Sequence, residues 1–303
     1  MLPDELRRFG YGVAPNPRPS MMRPLLTLSL LALLPWPGQA QQADAPPAKV
    51  EATPSGKPLW EIGVGGVAVN GPDYPAAGTR HSRIAPVPIF VYRGERLRVD
   101  EDGVRSRLFA GGRLELDLSG AVAFNARDND ARRGMPGLDY LFELGPQLRW
   151  RLPLQDGQQV SAHLKARAVF STDGRGIDRH GSVVEPELRW QRRGWPDSEG
   201  QVQLSIVSTW ASESLHDYFY QVDPRYATAQ RSAYDASSGY FGSGVRAWWS
   251  RRIATDTVLS LGSSFNSHGG AANRTSPLFE RSNTVSFAAA LIWTPWHSAE
   301  RVP

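Results

Sequence analysis

Apolar and polar residues alternate over long runs of this chain, most clearly across Leu138–Leu152. Every second residue there is apolar: Leu138, Tyr140, Phe142, Leu144, Pro146, Leu148, Trp150 and Leu152. The residues between them, Asp139, Leu141, Glu143, Gly145, Gln147, Arg149 and Arg151, are mostly polar or charged. A period of two belongs to a β-strand with one apolar and one wet face. Soluble strands average ~5–6 residues, whereas ~9–11 tilted residues cross a bilayer, so this run is long enough to span one. Tyr140 and Trp150, near its ends, suit the two membrane interfaces. The pattern predicts a transmembrane strand with its apolar face to lipid and its charged face to a lumen. A long strand of a soluble β-sandwich is the alternative.

The alternation recurs. Trp60, Ile62, Val64, Gly66 and Ala68 form one face of a first strand, and Ser82–Tyr92 is apolar with Pro86 and Pro88 inside it. Leu97–Asp100 and Val104–Phe109 read as short strands. Leu114–Phe124, Val160–Phe170, Val184–Trp190, Val202–Trp210, Phe241–Trp249, Thr257–Phe265 and Val285–Trp293 read as longer ones. Tight turns alternate with longer polar loops, as in outer-membrane barrels, while sandwiches have shorter and closer strands. The fold expected is all-β: a transmembrane antiparallel β-barrel of about 10–12 strands, 12 preferred. Pro86, Pro88, Pro146 and Pro186 fall inside strands, where proline removes a ladder hydrogen bond, and are read as bulges. Residues 211–238 break the pattern. Their cluster Asp217–Tyr220, Tyr226, Arg231, Tyr234, Asp235 and Tyr240 is read as a plug held by Arg231 with Asp217 or Asp235, or else as a contact surface or constriction.

The N-terminus changes the picture of location. Arg23 precedes the apolar run Leu25–Leu34, which ends in Gly38-Gln39-Ala40, the form of a secretory signal peptide. The expected organisation is an over-extended upstream segment (1–20), a signal peptide (21–40) and a flexible periplasmic lead-in (41–58). A barrel (59–296) and a tail (297–303) follow. Removing residues 1–40 takes a net +2 from the overall +4 and leaves a nearly neutral chain, a poor partner for nucleic acid. Only Lys49, Lys57 and Lys165 are lysines; the other basic residues are Arg, spread along strands. Cysteine is absent. An exported chain then holds together without disulfides, which a closed barrel does by pairing every strand.

Candidate chemistry is sparse. His81, His163, His180, His216, His268 and His297 show no zinc spacing. No nucleophile elbow, phosphate loop or dinucleotide fingerprint is present. Gly63, Gly65 and Gly66 read as room for close strand packing. His216 and Asp217 beside Ser212 and Ser214 are the one cluster that a catalytic reading could use, and an ordinary loop network is preferred. No catalytic, cofactor-binding or metal site is expected. Trp190, Trp195, Trp210, Trp248, Trp249, Trp293 and Trp296 read as an interface girdle. Lumen-facing Arg149, Arg151, Lys165, Arg167 and Arg189 interleave with Glu143, Glu185 and Glu187. They make either an anion-preferring pore or cross-strand salt bridges.

Several short motifs occur in order along the chain: Trp60-Glu61-Ile62-Gly63, Pro72-Asp73-Tyr74, Pro86-Val87-Pro88, Tyr92-Arg93-Gly94-Glu95 and Leu114–Ser119. Ala131-Arg132-Arg133-Gly134-Met135-Pro136, Leu144-Gly145-Pro146, Tyr218–Val222, Arg231–Ala236, Gly239-Tyr240 and Ser276-Pro277-Leu278 follow. In these the chain resembles the MipA/OmpV family of outer-membrane proteins, the MltA-interacting proteins. It departs at Pro75-Ala76-Ala77-Gly78, where the family usually has Gly-Ser. The tail after Trp296 departs too, since such barrels commonly end on an aromatic. The resemblance implies a non-enzymatic scaffold in the outer membrane, in contact with its lipid and lipopolysaccharide. It would link a lytic transglycosylase with a bifunctional murein synthase. Other members are described as adhesins or as porin-like proteins tied to antibiotics, so a channel for small solutes or antibiotics is the second expectation and a barrel-borne lipid-modifying enzyme the third. Oligomeric state is left open.

Overall fold

The computed structural model describes residues 56–94, 97–100, 103–106 and 113–302. The expected signal peptide, the segment before it and most of the lead-in lie outside these. In chain order the elements are β1 (Lys57–Pro58), β2 (Trp60–Pro72), β3 (Arg80–Arg93), β4 (Leu97–Asp100), β5 (Gly103–Ser106), β6 (Leu114–Ala123) and β7 (Tyr140–Pro153). Then come β8 (Gln158–Thr172), β9 (Ile177–Arg193), β10 (Gly200–Ala211), helix α1 (Glu213–Tyr220), β11 (Gly239–Ala254), β12 (Thr257–Ser267), β13 (Asn283–His297) and β14 (Arg301–Val302).

Strands β2 to β13 form one closed antiparallel barrel. Each pairs with its chain neighbours, and β13 closes the ring on β2 through nine Cα pairs from Phe287↔Asn70 to His297↔Glu61. Ten of the strands are long, up to the 17 residues of β9. The other two, β4 and β5, form a hairpin of four residues each. The segments that flank the barrel pair with each other at one end of it, Lys57–Pro58 (β1) with Arg301–Val302 (β14). Short turns on that side, at 154–157, 194–199 and 255–256, mark it as periplasmic. The long connections 124–139, 212–238 and 268–282 lie at the extracellular end.

The alternation translates into faces. On β7, Leu144, Leu148 and Trp150 are open on the outer surface, while Gln147 and Arg149 are buried inside. Ile62, Val64, Ile84, Leu188, Ile206 and Leu291 extend the outer apolar belt. Most tryptophans sit at the periplasmic rim, with Trp210 at the other. Trp248 corrects the girdle: it points into the lumen and lies over Gly262, where a Cβ would come within 2.8 Å of its ring. Glycines 63 and 65 do make room at the β2–β13 seam, since a Cβ there would lie 2.0 Å from Trp293 O and 2.9 Å from Leu291 O. A Cβ on Gly66 would meet nothing.

The proline reading needs correcting as well. Register shifts fall at Ala168/Phe170, Thr209/Trp210, Arg252/Ala254 and Trp293/Trp296. The last spans Pro295, and none falls at Pro86, Pro88, Pro146 or Pro186. Pro86 and Pro88 sit in unbroken register with Gly66 and Val64 of β2. Pro146 and Pro186 pair normally on one side and leave rungs missing on the other. Each proline turns its absent N–H away from its good neighbour, which costs a rung and spares the register.

Candidate functional site: the filled lumen and its cavity

The barrel interior is occupied at two levels. The upper level is a plug built from four extracellular connections. Helix α1 supplies Leu215, Phe219 and Tyr220. The rest of the 212–238 connection adds Val222 and Ala236. The connections at 73–79, 124–139 and 268–282 bring Tyr74, Ala126, Leu138 and Leu278 into one core that rests on Leu141, Val169, Val183 and Phe241 of the wall. Tyr220 and Leu278 are wholly buried. Many polar groups of the plug are matched, although Asn129 Oδ1, Arg132 Nε and His216 Nδ1 are buried without a hydrogen-bond partner among the described residues. Tyr74 donates to Leu278 O (2.8 Å) and Tyr220 to Pro75 O (2.9 Å). Ser276 Oγ donates to Tyr220 O (2.7 Å), and Arg132 donates to Phe219 O (2.9 Å). Asn273, fully buried, accepts from Ser237 N and Tyr234 Oη and donates to Ser237 O. Burial pushes both the Tyr74 and the Tyr220 hydroxyls well above their usual range, so they act as fixed donors.

The sequence cluster in 211–238 is thus a plug, yet its expected lock is different. Arg231 does not hold Asp217 or Asp235. It donates to the carbonyls of Tyr226 (2.8 Å), Ala131 (2.7 Å) and Arg133 (3.1 Å), tying two connections together through backbone. Asp235 accepts from Gln221 instead. Tyr240 leaves the plug altogether, packing on Trp210 and donating to Ser243 Oγ. His216 is wholly buried against Phe241 and Tyr220, and its Nε2 lies 3.3 Å from Gly239 O. Ser212 is engaged elsewhere, accepting from Ser182 N. The structure therefore does not bring a serine to His216. It does bring Ser161 within 2.8 Å of His163 Nε2 and Ser171 within 2.8 Å of His180 Nε2, pairs the sequence reading missed. Neither pair touches the cavity described below, and they read as fillers of the wall. Among the described residues, no three His, Asp or Glu side chains converge as a metal site.

The lower level is an ion-pair ladder on β6 to β9, reached by β11. Lys165 bonds Glu185 (2.9 Å) and Glu187, and Arg189 bonds Glu187 (2.8 Å). Arg167 joins Glu143 (2.7 Å) to Glu185 (3.6 Å), and Arg246 reaches Glu185 at 3.1 Å. Below them Arg149 bonds Asp117 through Nε (3.0 Å), and Arg151 bonds Glu115 at 2.5 Å. Of the two sequence readings, cross-strand salt bridges are what the lumen holds. Inward residues two apart on neighbouring strands form a mesh in which each carboxylate meets a cation.

Between plug and ladder lies a cavity of about 420 Å³. Its roof is Leu138, Leu141, Leu215, Phe219 and Phe241, and its floor is Glu143, Arg167, Glu185 and Arg246. Val69 and Val207 line opposite walls. The plug members Tyr74, Arg132 and Leu278 went unassigned in the sequence because they lie in aperiodic connections. A signal existed: the motifs Pro72–Tyr74, Ala131–Pro136, Tyr218–Val222 and Ser276–Leu278 all converge there.

A closed barrel with an apolar outer belt, a charged lumen and short turns at one end opposed to long connections at the other defines an outer-membrane β-barrel protein. The chain belongs to the family described as MltA-interacting protein MipA, which it matches over residues 64–295. No curated protein matches it significantly. Among solved structures it is similar to an outer membrane channel from Pseudomonas putida F1, at 13% identity and a TM-score of 0.42, covering 82% of this chain and 99% of that one. It is also similar to the Pseudomonas putida toluene transporter TodX, at 8% identity and a TM-score of 0.35, covering 80% and 90%.

Proposed function

We propose that this barrel is a non-conducting, non-enzymatic scaffold in the outer membrane. It gathers a lytic transglycosylase and a bifunctional murein synthase for peptidoglycan remodelling. The observation that carries the reading is the doubly filled lumen. A plug with its own core sits over a paired ion ladder, and this is costly for a solute channel and compatible with a barrel used as an anchor. The family description supplies the partner class. The surface such partners would meet is the periplasmic face: the turns at 154–157, 194–199 and 255–256 with the β1–β14 pair. The outer belt meets lipid and lipopolysaccharide.

The test is a binding titration of the detergent-solubilised barrel against the two enzymes of its own organism. Saturable binding at micromolar concentration or tighter to both is the expected result. No binding by a folded barrel would sink the scaffold and bring forward the channel reading, which single-channel conductance then decides.

A further inference from the structure

The barrel wall is uneven in height. Among the described residues, β3 meets β4 only at Tyr92↔Val99 and Arg93↔Arg98, and β5 meets β6 only at Val104↔Leu118. A four-residue strand rises only about 13 Å, against about 46 Å for the 14 residues of β3. Above the hairpin, the edge of β3 from Arg80 to Val91 has no ladder partner on that side among the described residues. Pro86 and Pro88 weaken it as a docking edge: their missing N–H groups lie on it, so an added strand would find no donors at those two positions.

Two observations bear on what this gap leads to. Val122, which faces outward on β6 and is 54% exposed, also lines the internal cavity, together with Ala123 and Phe124. The lumen wall beside the gap is apolar, with Val67, Val87, Ile89, Val91, Ala290 and Ile292 buried in one cluster and the Phe124 ring packed on it. Phe124 follows the last residue of β6 and stands where the gap opens inward. The cavity floor is polar, with Glu143 and Glu185 beside Arg167 and Arg246, and its most open charge is a cation. Arg246 keeps 36% of its side chain open, whereas its partner Glu185 keeps 5%.

We propose that the cavity binds a single-chain anionic amphiphile of fatty-acid type, taken laterally from the outer leaflet through the gap between β3 and β6. The chain lies under Leu141, Phe219 and Phe241, the carboxylate meets Arg246, and Phe124 gates the passage. A volume of about 420 Å³ lies within the range of small-molecule sites. The proposal does not rest on the scaffold reading, since a filled lumen without a through-channel can still hold a ligand admitted from the side.

The test uses the full mature barrel in phosphatidylcholine nanodiscs, titrated with 11-(dansylamino)undecanoic acid and followed by dansyl fluorescence. Variants are first checked for folding by heat-modifiable gel migration. Saturable binding of one probe per barrel is expected. Val207→Trp, which fills the cavity, weakens binding tenfold or more, and Val69→Phe does the same from the opposite wall should the first variant not fold. Phe124→Ala speeds association several-fold. Arg246→Gln weakens the acid about tenfold and leaves a neutral dansyl-undecylamide unchanged. Non-saturable fluorescence, or fluorescence that is the same in the filled variants, means bilayer partition only and overturns the site. Saturable binding with unchanged association in Phe124→Ala overturns the lateral route. An unchanged affinity in Arg246→Gln overturns the anionic head.

Discussion

The two halves of the lumen wall are built by opposite means. From β6 to β9 the inward residues are charged and each is paired across strands. Around β13, β2 and β3 they are Val, Ile, Ala and Gly. The difference shows in how the inward side chains are paired. On β7 to β9, which have long neighbours on both sides, inward side chains meet partners at a fixed cross-strand distance. Strands β2 and β13 are as fully paired in backbone but carry small or apolar inward residues. The β3 edge offers no such partner above Val91, and a charge there would face lipid or an empty lumen. Branched apolar residues fill the space instead. Polar pairs return only at the ends of that half, with Arg93–Glu61 (2.7 Å) below and Arg83–Asp73 (2.6 Å) above.

The sharpest way to break the comparison is to unpair one buried charge. Arg149→Met leaves Asp117, whose side chain is 4% exposed, without its bonded cation. The expected loss is about 3–5 kcal/mol in urea unfolding, since an uncompensated buried charge is the cost. The double variant Arg149→Met with Asp117→Leu recovers most of it. If the double variant is as unstable as the single one, packing rather than charge holds this half.

The corresponding cut in the apolar half is Ile89→Ala. Such truncations cost about 2–5 kcal/mol, and the lower end is expected because a strand with one open edge can relax into the space. A loss above that measured for Arg149→Met would reverse the ranking of the two halves.

These faces were legible in the sequence because period two is a property of the strand itself. Leu148 outward and Arg149 inward needed no partner to be assigned. The ladder was half legible: Lys165, Arg167, Glu185 and Glu187 were visible as lumen residues, but who pairs with whom is set by register. The plug was scarcely legible. Tyr74, Arg132, Phe219 and Leu278 meet across connections with no period, and Leu138, which continues the outward alternation of β7, turns inward into the plug core. On β3 both faces are apolar, so the alternation that reports a lumen disappears where the lumen wall is apolar.

The polar island at the top of the apolar half gives a milder, pH-dependent test. Burial works to raise the Asp73 carboxyl, but bonds from His81, Asn129 and Arg83 win and hold it below its ordinary value. A carboxylate depressed in the folded state stabilises above its unfolded pKa of about 3.9, and that contribution fades as pH falls through the folded value. Wild type should therefore lose stability relative to Asp73→Asn as the pH drops below about 4, and the gap between them should be constant from pH 5 to 8. A gap that also changes between pH 5 and 8 would mean that Asp73 is not the group that titrates.

The smallest effect concerns Ala76, where the chain has Pro-Ala-Ala-Gly in place of the glycine-bearing pattern of the MipA/OmpV family. Ala76 is completely buried with φ at +64°, and its carbonyl accepts from both Glu280 N (3.0 Å) and Arg281 N (2.9 Å). The left-handed conformation costs a residue with a Cβ about 1–2 kcal/mol, a cost that those two bonds and the plug core must offset. Glycine removes the clash but gives back about 0.4–1 kcal/mol of unfolded-chain entropy. It also vacates a methyl in a packed core. The terms nearly cancel, so Ala76→Gly should shift stability by less than about 1 kcal/mol, upward if the clash dominates. A much larger loss would mean that the methyl is a packing element of the plug in its own right. The plug's hold on the 73–79 connection would then come from apolar contact as much as from the bonds of Tyr74, Tyr220 and Asp73.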